Sequence, residues 1–237
     1  MDELAGAGLA LDLILKILAL DTSSEYCSVA LFQSGEMLSR DALAEQSHSA
    51  LILPMIRQIL AEAGLNLEQL DGIAFGAGPG SFTGLRIACG VTQGLALGSG
   101  VAVVGICTLE ALAQEAGGSK VIAALDARMN EIYHAAYKKT EDGWQAMSEP
   151  VLCLPQDAPA VPEDNWKGCG SGFDRYDREL RARYEGLLTD VVTGMRPHAR
   201  AIAQLAAAAF GKGLAVDPAD AAPFYIRDKV ALKENER

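Results

Sequence analysis

The run Gly76-Ala77-Gly78-Pro79-Gly80-Ser81-Phe82-Thr83-Gly84-Leu85-Arg86-Ile87 has the residue types that most invite a chemical reading. Ile73 to Phe75 read as the end of a buried strand. Gly76, Gly78 and Gly80 supply positive-φ or close-approach positions, and Ser81 or Thr83 can cap the helix that follows. A strand, a glycine loop and a helix N-terminus in series form an anion site, so phosphate binding is the first hypothesis. The spacing argues against it. A nucleotide P-loop needs four residues between its glycines and then Lys and Ser or Thr, whereas Gly84 is followed by Leu85 and Arg86. The dinucleotide fingerprint is a weak match, because Gly76 and Gly78 leave Ser81 in the sixth place with no acid suitably placed beyond. A serine-hydrolase elbow needs glycines two before and two after its serine, where Ser81 has Pro79 and Thr83. The loop does not read as a nucleophile site.

Other reactive side chains are dispersed. His48, His134 and His198 form no spaced pair, and a single histidine is more often a surface or capped residue than a ligand. Cys27, Cys89, Cys107, Cys153 and Cys169 include no C-x-x-C pair, which indicates neither a disulfide framework nor a zinc site and makes reduced, cytoplasmic cysteines the default. A net charge of −11 opposes binding to a phosphate backbone, so the chain alone is expected to bind RNA poorly. With 237 residues, half of them hydrophobic, the chain can hold one large or two small domains.

The elements that position these residues follow from periodicity and punctuation. The apolar start from Leu4 to Leu20 carries Asp12 and Lys16 and opens with Met1-Asp2-Glu3, the wrong charge for a signal peptide and too interrupted for a membrane span. It reads as a loosely fixed lead-in. Ile17 to Asp21, Tyr26 to Phe32 and Glu36 to Leu43 read as an antiparallel meander turned at Ser34-Gly35. Leu51, Ile52, Met55, Ile56, Ile59, Leu60 and Ala63 give a helical stripe stopped by Gly64, with Pro54 implying a kink or a later start. In the helix launched at Ser81, Gly90, Gly94 and Gly98 recur at every fourth residue and stack on one face. Each costs roughly 1 kcal/mol relative to alanine, so that face reads as a helix-packing surface, either within the chain or between subunits. Val101 to Ile106 is a further strand, and Thr108 can cap a helix to Ala116.

The chain then repeats itself. Ala19-Leu20-Asp21, a short loop and Glu25-Tyr26-Cys27-Ser28 are echoed 105 residues later by Ala124-Leu125-Asp126, a short loop and Glu131-Ile132-Tyr133-His134. Order and spacing agree as well as letters, which predicts a duplicated β-β-β-α-β-α unit. The first copy is expected over residues 17–106, and a degenerate second copy over 107–219. That second copy has a strand Trp166 to Cys169, a helix Phe173 to Tyr184, a strand Leu187 to Val192 and a helix Ala199 to Phe210. The tail 220–237 is expected to pack back on the body.

Two such copies with an acid at the end of each first strand resemble the α/β fold of actin, hexokinase and the heat-shock ATPases, a duplicated ribonuclease H-like architecture. The residues are more specific. Ile17-Leu18-Ala19-Leu20-Asp21-Thr22-Ser23 with Cys27 to Leu31, His48 with Leu53-Pro54-Met55-Ile56, and Gly78 to Ile87 resemble the TsaB family of tRNA threonylcarbamoyladenosine biosynthesis proteins. So do Asp126-Ala127-Arg128 with Glu131 and Tyr133, and Pro223-Phe224-Tyr225-Ile226-Arg227 with Val230-Ala231. The resemblance covers roughly residues 17 to 231.

It implies a cytoplasmic, non-catalytic partner of the homologous enzyme TsaD, which transfers threonylcarbamoyl to the adenosine beside the anticodon, with the small ATPase TsaE as third component. The catalytic relatives hold a metal with a His-x-x-x-His pair, and the matching positions here are Thr108 and Leu112, with Glu110 as one carboxylate between them. The loops Asp21-Thr22-Ser23-Ser24 and Asp126-Ala127-Arg128-Met129 carry side chains where an ATPase of this fold places phosphate-binding glycines. Asp21 and Asp126 therefore read as turn-forming acids ahead of catalytic ones, and Arg128 either meets an anion or pairs with Glu131. No catalytic residue, cofactor or metal is implied. The expected partner face is built from Leu51, Met55, Ile59, Phe82, Arg86, Gly90 and Gly94, and because the partner is a homologue the same face can form a homodimer. The competing expectation is an active enzyme of this fold, a small-molecule kinase or a metallopeptidase.

Overall fold

The computed structural model describes residues 15–227. The lead-in to residue 14 and Val230-Ala231 lie outside that range. Lys16–Asp21 (β1), Tyr26–Gln33 (β2) and Glu36–Leu43 (β3) pair antiparallel in chain order. Ser34 and Gly35 turn the second hairpin with φ of 52° and 81°, the two-residue connection whose twist suits an antiparallel pair. There follow His48–Ala63 (α1), Gly72–Gly78 (β4), Phe82–Ser99 (α2), Ala102–Cys107 (β5) and Thr108–Ala116 (α3). β4 and β5 add in parallel, giving the order β3-β2-β1-β4-β5.

The second half is Lys120–Arg128 (β6), Glu131–Thr140 (β7), Gly143–Cys153 (β8), Trp166–Cys169 (β9), Ser171–Arg175 (α4), Asp177–Arg183 (α5), Leu188–Val192 (β10) and Ala199–Gly211 (α6). Its sheet runs β8-β7-β6-β9-β10, with β7 antiparallel and β9 parallel to β6. The first sheet's order thus recurs strand for strand. The repeat around Asp21 and Asp126 is the trace of a duplicated, actin-like α/β fold.

Strand alternation decides which helix covers which face. Leu18 and Leu20 of β1 point toward α1 and α2, packing with Ile52, Ile56 and Ala88, while Ile17 and Ala19 point the other way onto Ile202 and Ala206 of α6. On the second sheet Val121, Ala123 and Leu125 meet Leu109 and Leu112 of α3, and Ile122 and Ala124 meet Phe173, Leu180 and Tyr184. Each fully buried leucine or isoleucine contributes about 1.5–3 kcal/mol. The result is five layers, with α3 and α6 between the sheets, joined by Gln114 to Gln204 and by the Glu115–Arg200 ion pair.

Four local expectations are corrected. α6, late in the second copy by sequence, packs on the first sheet; its alanines let it approach so closely that a Cβ on Gly72 would lie 2.1 Å from the Phe210 ring. Pro54 lies inside α1, which begins at His48, so the alternative of a later start falls; the carbonyl of Ala50 loses its helical partner but Ala50 is exposed to water. Phe173 to Tyr184 is two helices, broken at Tyr176, whose hydroxyl reaches back to Asp126 at 3.3 Å. Thr108 is the first residue of α3 and Cys107 its cap position, because the Thr108 hydroxyl donates instead to the carbonyl of Pro79.

Candidate functional site

The loop after β1 and the glycine run after β4 meet at the N-terminus of α2. Ser81 caps that helix, its hydroxyl accepting from the Gly84 amide, as its position in the sequence predicts. What lies against the loop is the chain itself. The Ser81 amide donates to the carbonyl of Ser23 at 2.8 Å, and a Cβ on Gly80 would come within 2.7 Å of that same oxygen. The Thr22 hydroxyl in turn donates to the carbonyl of Gly84. A backbone carbonyl takes up the Ser81 amide and the Ser81 hydroxyl that of Gly84, and the glycines serve close packing of two loops. Gly78, at φ 122°, faces the carbonyl of Phe224 and admits the C-terminal segment, whose Phe224 amide donates to Ala77.

The two strand-end acids differ. Asp21 is buried; its Oδ1 accepts from the amide and hydroxyl of Ser23, while Oδ2 lies against Gly76 without a partner. Burial pushes its pKa up to about 7, against the lowering effect of the Ser23 hydrogen bonds. Asp126 is fully engaged: Oδ1 accepts from the Arg128 amide and the Tyr176 hydroxyl, and Oδ2 faces Arg128 at 3.3 Å and Arg175 at 3.7 Å. Arg128 thus pairs with Asp126, and Glu131 is taken instead by Arg227 at 2.6 Å.

Thr108 and Leu112 are buried, Leu112 in the apolar cluster under β6, so neither faces a space where a metal could be held. Among the described residues no three His, Cys, Asp or Glu side chains group as a cation site. His48 donates through Nε2 to the carbonyl of Ser24 at 3.0 Å. His134 is buried beside Tyr184, Nε2 to hydroxyl 2.7 Å, and desolvation lowers its pKa to about 4. Burial raises the thiols, Cys27 and Cys169 to about 12 and Cys153 to about 11, which keeps them protonated and poor as nucleophiles.

The expected partner face divides. Met55 and Ile59 are core residues, packed with Leu18, Val29 and Phe75, so they cannot be presented to a partner; Leu51 is half-buried. A helical stripe records which positions are apolar, not which of them the chain's own sheet already covers. Among the described residues nothing lies within 4 Å of a Cβ built on Gly90, Gly94 or Gly98, so no described element packs on that row. With them on the outer side of α2 lie Phe82, Arg86 and Leu97, the last 62% exposed, and on α1 Leu53 is 45% exposed. The sequence did not assign Leu53 or Leu97 to that face; their exposure appears only once the sheet is in place. The Arg86 guanidinium stacks 3.6 Å from the Phe82 ring centroid and its Nε donates to the Tyr225 hydroxyl.

These features match known proteins over nearly the whole chain. The tRNA threonylcarbamoyladenosine biosynthesis protein TsaB of Escherichia coli is 36% identical over 228 residues, 93% of this chain and 98% of the relative. The same-named protein of Haemophilus influenzae is 37% identical over 233 residues, 93% of this chain and 97% of the relative. The chain belongs to the TsaB family. The family model described as TsaD, tRNA N6-adenosine threonylcarbamoyltransferase, also matches, over residues 41–210, as expected where a TsaB chain and that transferase share a fold. The solved structure of YeaZ from Pseudomonas aeruginosa superposes with a TM-score of 0.83 at 38% identity, covering 90% of this chain and 100% of that one. TsaB membership places the chain in the biosynthesis of threonylcarbamoyladenosine in tRNA. No helix among the described residues is long and apolar enough to cross a membrane.

Proposed function

We propose that this TsaB-family chain is a non-catalytic subunit that heterodimerises with TsaD and activates it for threonylcarbamoyl transfer, together with the ATPase TsaE. The observation that supports this reading is the self-packed loop: Ser23 and Thr22 lie against Gly80 and Gly84, and Thr108 and Leu112, which the family resemblance matches to the enzyme's metal histidines, are buried. What is left for function is shape. The open row Gly90, Gly94 and Gly98, flanked by Phe82, Arg86 and Leu97, lets a second helix approach α2 closely. A partner of the same architecture has an equivalent helix pair, and a second copy of this chain can use the face when the partner is absent.

The test is reconstitution of tRNA modification from purified TsaD, TsaE and the enzyme that makes threonylcarbamoyl-adenylate, with and without this chain. Activity is expected to require the chain while the chain alone turns over neither ATP nor a peptide. Full activity in its absence, or nucleotide hydrolysis at an enzymatic rate by the isolated chain, contradicts the proposal.

A further inference from the structure

Two arginines tie the halves of the molecule together. Arg196, in the link from β10 to α6, donates through Nε to Glu25 at 2.7 Å and through Nη1 to Asp174 at 2.7 Å. Glu25 belongs to the loop after β1 and Asp174 to α4, so one guanidinium spans both halves. Arg227 donates to Glu131 at 2.6 Å and to the Ala127 carbonyl at 3.1 Å, both in the hairpin between β6 and β7. Three residues earlier the Phe224 amide is bonded to Ala77 of β4 at 2.7 Å, and Tyr225 is held by Arg86 of α2. Three residues of chain reach about 10 Å at most, so the hairpin cannot draw away from β4 without breaking one of these attachments.

The hairpin needs holding. Arg128, Met129 and Asn130 stand consecutively at φ 64°, 55° and 61°, left-handed conformations that cost non-glycine residues about 1 kcal/mol or more apiece. Arg227 caps this turn from outside, its Nη1 against the Met129 sulfur at 2.9 Å. Both guanidiniums are largely withdrawn from water, their side chains 21% and 15% exposed, so these pairs are less screened than surface ones.

We propose that Arg196 and Arg227 are paired clamps that hold the two sheets in one arrangement, so that the halves swing about the α3–α6 layer only when a clamp is released. In a two-lobed fold a ligand that touches both lobes ordinarily holds them shut; here the chain's own guanidiniums bridge the lobes. The inference concerns the isolated chain and stands whether or not the partner reading is correct.

The experiment is hydrogen–deuterium exchange with small-angle scattering on the full chain, comparing wild type with Arg196→Ala, Arg227→Ala and the double variant. Each single change is expected to raise amide exchange about fivefold, 22–25 and 171–175 responding to Arg196 and 127–131 to Arg227, with α1 and α2 unchanged. The double variant is expected to show a larger radius of gyration. Glu25→Gln and Glu131→Gln remove the anionic partners with almost no change of volume, and decide the matter if an alanine variant loses protection throughout. Wild-type exchange in those loops together with an unchanged radius, in the double alanine variant or in the paired glutamine variant, overturns the proposal.

Discussion

The Thr22 hydroxyl donates to the Gly84 carbonyl at 2.6 Å, and a Cβ on Gly84 would stand 1.8 Å from the Thr22 carbonyl oxygen. Two segments 62 residues apart are thereby pressed together backbone to backbone, with no space for a third party. The contact explains why a glycine run that fits no nucleotide motif is nonetheless so rich in glycine.

Gly84→Ala is therefore expected to destabilise the chain by about 2 kcal/mol or more, since backbone, not a flexible side chain, must yield. Gly90→Ala and Gly94→Ala, where the Cβ meets none of the described residues, should each stabilise by about 1 kcal/mol through helix propensity. Urea denaturation of the four proteins measures both signs in one series.

Replacing Gly90 and Gly94 with leucine fills the open row without disturbing the core. Thermal stability should hold, while co-elution with the catalytic subunit and self-association should both fall by tenfold or more. Undiminished association would place the docking face elsewhere.

Asp21 and His134 give opposite acid responses. The native pKa of Asp21 is raised to about 7 from an unfolded value of 3.8, so folding takes up a proton there and stability grows as pH falls from about 7 to 4, by roughly 4 kcal/mol. His134 is lowered from 6.5 to about 4, so the unfolded chain binds the proton first and stability is lost as pH falls through that window, by roughly 3 kcal/mol. The two nearly offset each other in the wild type. Asp21→Asn leaves His134 alone, and its unfolding free energy is expected to drop steeply between pH 6.5 and 4 where the wild type stays nearly flat.

Arg86→Ala removes the cation held over Phe82 and the bond to Tyr225. Because these groups are exposed, stability should change by less than about 1 kcal/mol, whereas partner affinity should fall by more than tenfold, as desolvated arginine–aromatic clusters dominate interfaces. Titration calorimetry with the catalytic subunit reads the second effect and a melting curve the first.

Much of the fold was legible because it is written twice. The Asp21 and Asp126 echo, the meander of β1 to β3 and the strand–glycine–helix unit at Gly76 to Ser81 depend on local period and turn chemistry, which a single sequence carries. What escaped was set by long-range packing. Nothing near Ala199 announces that α6 crosses to the first sheet, and the helix break at Tyr176 depends on Asp126, 50 residues away. Exposure on the two helices was half legible: glycine spacing marked the row on α2 that no described residue covers, but Met55 and Ile59 could be told from Leu53 only by knowing which side of α1 the sheet covers. Arg196 carried no local signal, since its partners Glu25 and Asp174 lie in two distant segments, and Arg227 was legible only as part of the Pro223 to Arg227 motif, its partners Ala127 and Glu131 lying in the β6–β7 hairpin.

The most direct test is the rate of tRNA threonylcarbamoylation in the reconstituted system with two kinds of altered chain. Asp21→Asn with Asp126→Asn removes both strand-end acids, and Gly90→Leu with Gly94→Leu blocks the docking row. A scaffold predicts near wild-type turnover for the first and loss of turnover for the second. Abolition by the acid pair, with the chain still folded and still bound to its partner, and full turnover with the blocked row would contradict the account.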